Sequence, residues 1–191
     1  MSTTYKVSTV YFEQPGPANT ESVAKLACAR AKELGIEHIV VASNTGATTR
    51  HFLGNGLKLV VVTHHVGFEA PGHDEMDAST RAELEAAGAS LLTTTHLFAN
   101  VERAAARKFG GIYVGGIISY TLRLFGQGTK VCLEIATMAL DAGLIPYGKD
   151  VVAVGGTSRG ADTAIVLRPA HAREFFETEV REVICKPRSI K

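Results

Sequence analysis

The run Ser43-Asn44-Thr45-Gly46-Ala47-Thr48-Thr49-Arg50 follows directly on four apolar residues, Ile39-Val40-Val41-Ala42. It sets small hydroxyl and amide side chains around a glycine, where a strand is expected to end and a short helix to begin. Free backbone N–H groups, side-chain donors and the positive end of a helix dipole at one point make an anion site. The chemistry expected of Ser43, Asn44, Thr45, Gly46, Thr48 and Thr49 is therefore to hold a phosphate or similar anion. The plain structural alternative is a well-capped turn that binds nothing. A second run, Gly155-Gly156-Thr157-Ser158-Arg159-Gly160-Ala161-Asp162, follows the apolar residues Val151 to Val154 in the same way. Its glycines let backbone approach a ligand closely, Thr157 and Ser158 offer hydroxyls, and Arg159 offers a charged fork suited to phosphate. An ordinary hairpin turn is the alternative for this run. Because both runs leave apolar strands, they are expected at one edge of a sheet, sharing one ligand.

Other groups with chemical potential are weaker. His64, His65, His73, Asp74 and Glu75 cluster in sequence, but their spacing fits no standard zinc pattern, and adjacent histidines on a strand point to opposite faces. No metal site is expected. His96 follows Thr93-Thr94-Thr95 at another expected strand end, and Glu134 lies among Val131, Cys132, Leu133 and Ile135. A half-buried carboxylate there would either have a raised pKa or meet a structural partner such as an arginine. No spacing supports a Ser/His/Asp or Cys/His triad, so no catalytic residue is assigned. Neither a G-x-x-x-x-G-K-[ST] phosphate loop nor a G-x-G-x-x-G run after a strand is present.

The elements that must position these loops follow from hydrophobic pattern. Strands are expected at Val7–Phe12, His38–Ala42, Leu57–Thr63, Leu91–Thr95, Val151–Val154, Thr163–Leu167 and Glu179–Cys185. Helices are expected from Asn19 or Thr20 to Leu34, over a short stretch to Leu53, at Asp77–Ala87, at Val101–Phe109, from Gly115-Gly116 to Phe125, from Thr129 to Ala142, and at His171–Phe176. The strand runs are continuously apolar rather than alternating, the pattern of strands covered on both faces. Alternating strands and helices predict an α/β fold: a three-layer α/β/α arrangement around a mostly parallel sheet, with one antiparallel late strand. Ligands bind such sheets beyond the C-terminal strand ends.

A chain of 191 residues is most simply one domain, 1–191. Within it, 97–128 is expected to be a helical insertion and 171–191 a C-terminal extension. The net charge of +1 and the lack of a basic run exclude a broad nucleic-acid footprint. No apolar run approaches the ~20 residues of a membrane span, and Met1 to Lys6 has no signal-peptide core. Cys28, Cys132 and Cys185 are far apart and odd in number, so they are expected in the core of a cytoplasmic protein.

The order of these motifs resembles the C-terminal α/β domain of pyruvate kinase. Ser43-Asn44-Thr45-Gly46-Ala47-Thr48 matches that domain's T-x-S-G-x-[ST] loop, LKLVVVT at 57–63 its second strand, and Gly148-Lys149-Asp150 through Gly155 its later turn, strand and glycine-rich loop. The resemblance covers 20–63 and 129–167. In pyruvate kinases, the hydroxyl-rich loop and the late glycine/arginine loop together bind a sugar bisphosphate effector. The catalytic barrel has no counterpart in this sequence, so pyruvate kinase activity is not expected. The chain looks like the standalone archaeal and bacterial proteins that share this domain. For that group the resemblance implies a phosphorylated small ligand, with flavin mononucleotide (FMN) the best single candidate. His64, His65, Val66, Gly67 and Phe68, after the second central strand, are placed by strand order to wall a flat slot beside the phosphate. The ligand set expected is therefore Ser43, Asn44, Thr45, Gly46, Thr48, Thr49, His64, Gly67, Phe68, Gly155, Gly156, Thr157, Ser158, Arg159, Gly160 and Asp162. The alternatives are a flavin-dependent oxidoreductase, a small hydrolase using His64, His65 or His96, or a metabolite-sensing module. A homo-oligomer built through the helices of 97–125 is also expected.

Overall fold

Four apolar runs form the centre of a seven-stranded sheet because each can be covered on both faces. The computed structural model describes Thr4 and residues 6–189. Residues 1–3 and Tyr5 of the N-terminal stretch, and the last two residues of the C-terminal extension, lie outside it. In chain order the elements are β1 (Val10–Phe12), α1 (Thr20–Glu33), β2 (His38–Ala42), β3 (Lys58–Val62), α2 (Ala78–Ala86), β4 (Ser90–Leu92), α3 (Val101–Phe109), α4 (Val114–Arg123), α5 (Gln127–Asp141), β5 (Val151–Gly155), β6 (Thr163–Arg168) and β7 (Glu179–Pro187). The strands lie in the order β1-β7-β6-β5-β2-β3-β4. All neighbours run parallel except β6, which is antiparallel to both β5 and β7. This is the expected α/β architecture, with β6 as its reversed late strand.

Alternate residues of one strand feed two cores. Ile39 and Val41 of β2, Leu59 and Val61 of β3, and Val152 and Val154 of β5 pack with Val23, Ala27 and Ala31 of α1 and Leu84 of α2. Val40, Val60, Val151 and Ala153 face the other way, onto Cys132, Ile135, Ala136 and Ala139 of α5. Because α5 is apolar on nearly every side, it is buried almost throughout. Cys28, Cys132 and Cys185 are free thiols in these cores, and burial pushes Cys185 up to about 12. Among the described residues, no helix is long and apolar enough to cross a membrane.

Local structure departs from the sequence pattern at three places that matter for the site. After the Ser43 loop there is only a four-residue 3-10 turn, Thr49–Phe52, with Leu53 already extended. The chain must turn back at once to enter β3 beside β2, and Gly54 and Gly56, both at positive φ, do so. β4 stops at Leu92, before the three threonines. It is an edge strand paired only with β3, and beyond it Thr93 bonds sideways to Thr63, Oγ1 to Oγ1 at 2.7 Å. His96 thus sits in a loop rather than at a strand end. Finally, α5 begins at Gln127, and Thr129 donates its hydroxyl to the Phe125 carbonyl instead of capping the helix.

Candidate functional site

β2 and β5 are hydrogen-bonded neighbours, with Val41 opposite Val154, so the loops that follow them emerge side by side. Both open onto one cleft of about 1000 Å³ at the C-terminal edge of the sheet, at the upper end of the size of small-molecule sites. Ser43, Asn44, Thr45 and Thr48 line it from the first loop, and Gly156, Ser158, Arg159 and Gly160 from the second. His64 and Phe68 line it from the segment after β3. The helix start expected at the Ser43 loop is too short to carry a dipole. Two longer helices fill that role: Thr20 and Glu21 at the start of α1 and Gln127 at the start of α5 all border the cleft.

Six expected ligand residues are placed differently. Gly46 turns away from the cleft; a Cβ on it would stand 2.7 Å from Thr80 Cγ2 and 3.0 Å from Leu84 Cδ1 of α2. Thr49 is buried under the loop, and its hydroxyl has no partner among the described residues. Gly155 belongs to β5 and is packed against Gly128 and Val131. Gly67 and Thr157 lie outside the lining. Asp162 is fully buried and braces the loop: it accepts from Gly16 N–H at 3.0 Å, Thr157 N–H at 3.0 Å and the Thr163 hydroxyl at 2.7 Å. Thr20 adds a second tie, accepting from Ala161 N–H at 3.0 Å while donating to the Pro17 carbonyl at 2.8 Å. Gly160 must be glycine, since its φ is +70° and a Cβ would lie 2.5 Å from Pro17 Cα. The second loop is thereby fastened to the start of α1, and Ser158 is held at φ 66°, a left-handed conformation rare outside glycine.

The histidine segment supplies an aromatic strip. His64 stacks on Phe68 at 3.7 Å between centroids, and His96 lies 5.3 Å from His64 and 5.4 Å from Phe68. Glu75 bonds His64 Nδ1. Asn44 donates its amide to His64 Nε2 at 3.1 Å and accepts the His64 backbone N–H at 3.2 Å. With Nε2 accepting, the proton of a neutral His64 ring resides on Nδ1, facing Glu75. His96 has no hydrogen-bond partner on either ring nitrogen among the described residues, and burial pushes it down to about 4, so it is neutral at physiological pH. Among those residues, no group of three or more His, Cys, Asp and Glu is placed to hold a metal ion.

Three cations on the α3–α5 side went unread in the sequence. Lys130 and Glu134, one turn apart on α5, form a buried ion pair with side chains 9% and 5% exposed. Glu134 also accepts the Phe98 N–H at 3.0 Å, so the expected partner is a lysine rather than an arginine. Burial disfavours the Lys130 ammonium, and the Glu134 carboxylate opposes that. Arg103 of α3 and Arg123 of α4 complete this wall. Across the whole lining, four Lys/Arg side chains stand against four Glu, but they are unevenly paired. Glu21 pairs with Lys25 and Glu134 with Lys130, while Glu75 bonds His64 and Glu69 lies 3.9 Å from His73. Arg103, Arg123 and Arg159 meet no carboxylate among the described residues. The three guanidinium groups without a carboxylate are the places in this cleft where an anion would find uncompensated positive charge.

The family model described as pyruvate kinase, alpha/beta domain, matches residues 21–167. The chain belongs to this family. Similar solved structures include a pyruvate kinase of Cryptosporidium parvum, 17% identical over 80% of this chain and 23% of that one, with a TM-score of 0.43. Another, a pyruvate kinase of the same organism in complex with ADP, is 18% identical over 80% and 24% of the two chains, with a TM-score of 0.40. The chain spans about a quarter of the length of the pyruvate kinases it matches. The matched family segment contains both cleft loops and stops short of the 3-10 turn Ala172–Glu177 and β7.

Proposed function

We propose that the protein binds a phosphorylated small molecule at the C-terminal edge of its sheet, with FMN the leading ligand. One observation carries this reading: two loops from neighbouring strands face a single cleft, and the Arg159 guanidinium among them has no partner among the described residues. The Ser43, Thr45 and Thr48 hydroxyls and the Arg159 fork are the phosphate donors. The residues fit a flavin, because the His64–Phe68 stack and the unpartnered His96 give a flat ring one aromatic face and one polar edge. A bound flavin would supply one- and two-electron chemistry; the chain's own part is to fix the phosphate, cover the ring and offer His96 as a hydrogen-bond partner.

The test is titration of apo protein with FMN, followed by flavin fluorescence. Saturable quenching is expected, weakened by Arg159→Ala and by Thr45→Val. No binding at tens of micromolar rejects the flavin, and unchanged affinity in both variants for whichever phosphate compound binds rejects the phosphate site. The free cysteines support a reducing, cytoplasmic setting. Exposed Phe109, Ile112, Val114, Ile117, Leu124 and Phe125 on and around α3 and α4 support a homo-oligomer, which light scattering of the purified protein tests.

A further inference from the structure

We propose that the wall built by α3, α4 and α5 is a second anion subsite, in which Arg123 and Arg103 take a carboxylate or phosphate group distinct from the phosphate at the Ser43 loop. The proposal rests on the phosphate reading for the other end of the cleft, but it uses different residues and fails separately.

The geometry of Arg123 carries it. Its Nε donates to Gln127 Oε1 at 2.6 Å, its Nη1 donates to Ser119 Oγ at 2.6 Å, and its guanidinium lies 5.1 Å from the Tyr120 ring centroid. Every one of these partners is neutral, so the side chain is held in one pose with its charge uncompensated. Nη2 has no partner among the described residues. An arginine serving only as a brace would be expected to meet a carboxylate. Glu134, the carboxylate these helices turn to the cleft, is already engaged by Lys130 and by the Phe98 N–H. Arg103 and Arg123 both stand close enough to Lys130 to disfavour its ammonium. Three cations facing one carboxylate leave a surplus of positive charge that an anion would relieve. Ordering an arginine fork before the ligand arrives also lowers the entropy cost of binding. Between the two ends of the cleft lies neutral His96, which can donate from one ring nitrogen and accept at the other.

The ligand chemistry is therefore two separated anionic groups. They belong either to one molecule or to a phosphate compound and a carboxylate co-substrate bound beside it. Calorimetric titration of the full chain distinguishes these. In the first arm, 6-phosphogluconate is compared with glucose 6-phosphate, which lacks the carboxylate, and phosphoglycolate with methyl phosphate. In the second arm, oxalate is titrated into protein saturated with FMN. At least a tenfold gain from the carboxylate is expected in one arm. Arg123→Gln and Arg103→Gln should abolish that gain and leave glucose 6-phosphate and FMN affinity within about twofold. Arg123→Lys, which keeps the charge but not the fork, should retain part of it. The gain appearing in the first arm assigns both anions to one molecule, and in the second assigns a co-substrate. No carboxylate gain in either arm, or a gain that survives Arg123→Gln and Arg103→Gln, overturns the proposal. Loss of phosphate affinity in Arg159→Ala with an intact oxalate response would instead locate a fault at the other end of the cleft only.

Discussion

Asp162 offers the sharpest test of how the cleft is held together. Its carboxylate is fully buried and accepts from two backbone N–H groups and one hydroxyl, joining the Gly16 turn, the second loop and β6. In Asp162→Ala, the Gly16 and Thr157 N–H groups lose their acceptor, while the Thr163 hydroxyl can rotate to another. A buried donor left without a partner costs about 1–3 kcal/mol, and more where the lost acceptor was charged. Two such donors give a predicted loss of about 3–5 kcal/mol, a large fraction of the roughly 5–15 kcal/mol that holds a domain together. In Asp162→Asn, the amide oxygen can replace Oδ2 and serve both N–H groups, and the amide nitrogen can donate to the Thr163 hydroxyl. That variant should lose only about 1–2 kcal/mol, the difference between charged and neutral acceptors. Urea unfolding followed by far-UV circular dichroism, with midpoints compared at equal slope, measures both. Affinity for FMN or inorganic phosphate should fall in Asp162→Ala, because the loop loosens, and hold in Asp162→Asn. An alanine variant within 1 kcal/mol of the parent, or an asparagine variant as unstable as the alanine one, would refute the bracing role.

Three further outcomes follow from the same geometry. Gly160→Ala should destabilise by about 2 kcal/mol or more and weaken phosphate binding, since its φ of +70° and the 2.5 Å approach to Pro17 Cα force the loop off α1; urea midpoints check the first and calorimetry the second. Lys130→Met leaves Glu134 as a buried, uncompensated carboxylate and should cost about 3–5 kcal/mol, whereas Lys130→Met with Glu134→Leu should recover most of it; a double variant no better than the single one would count against the pair. His96 holds its proton only below about 4 when folded but from its ordinary 6.5 when unfolded, so the unfolded chain takes up a proton first as pH falls. Stability should therefore drop by up to about 3 kcal/mol across that window, and His96→Gln should remove this share of the slope in urea titrations at stepped pH.

The sheet was legible in the sequence because β2, β3, β5 and β6 are covered on both faces and so read as unbroken apolar runs. The two loops were legible because each follows such a run. What the sequence hid depends on contacts between distant segments. Asp162 resembles a ligand residue by its place in a glycine-rich loop, but one of its donors, Gly16, lies 146 residues away. Thr49 and Gly46 carry the right residue types and face the wrong side of the loop. The Lys130–Glu134 pair did leave a signal: a lysine and a glutamate one turn apart on a helix otherwise apolar all round must share a buried face. Arg103 and Arg123 left none, because their meaning arises only where α3 and α4 lie over α5.

Because β5 returns through antiparallel β6 rather than crossing over a helix, the second loop is the tip of a hairpin stitched to β2 through β5. The two halves of the cleft therefore belong to one rigid body. Many ligand clefts close by swinging one lobe onto another; here the β2–β5 pairing joins the two loops directly. A ligand held by the second loop would load Asp162 and Thr20, and through them α1 and the far half of the sheet.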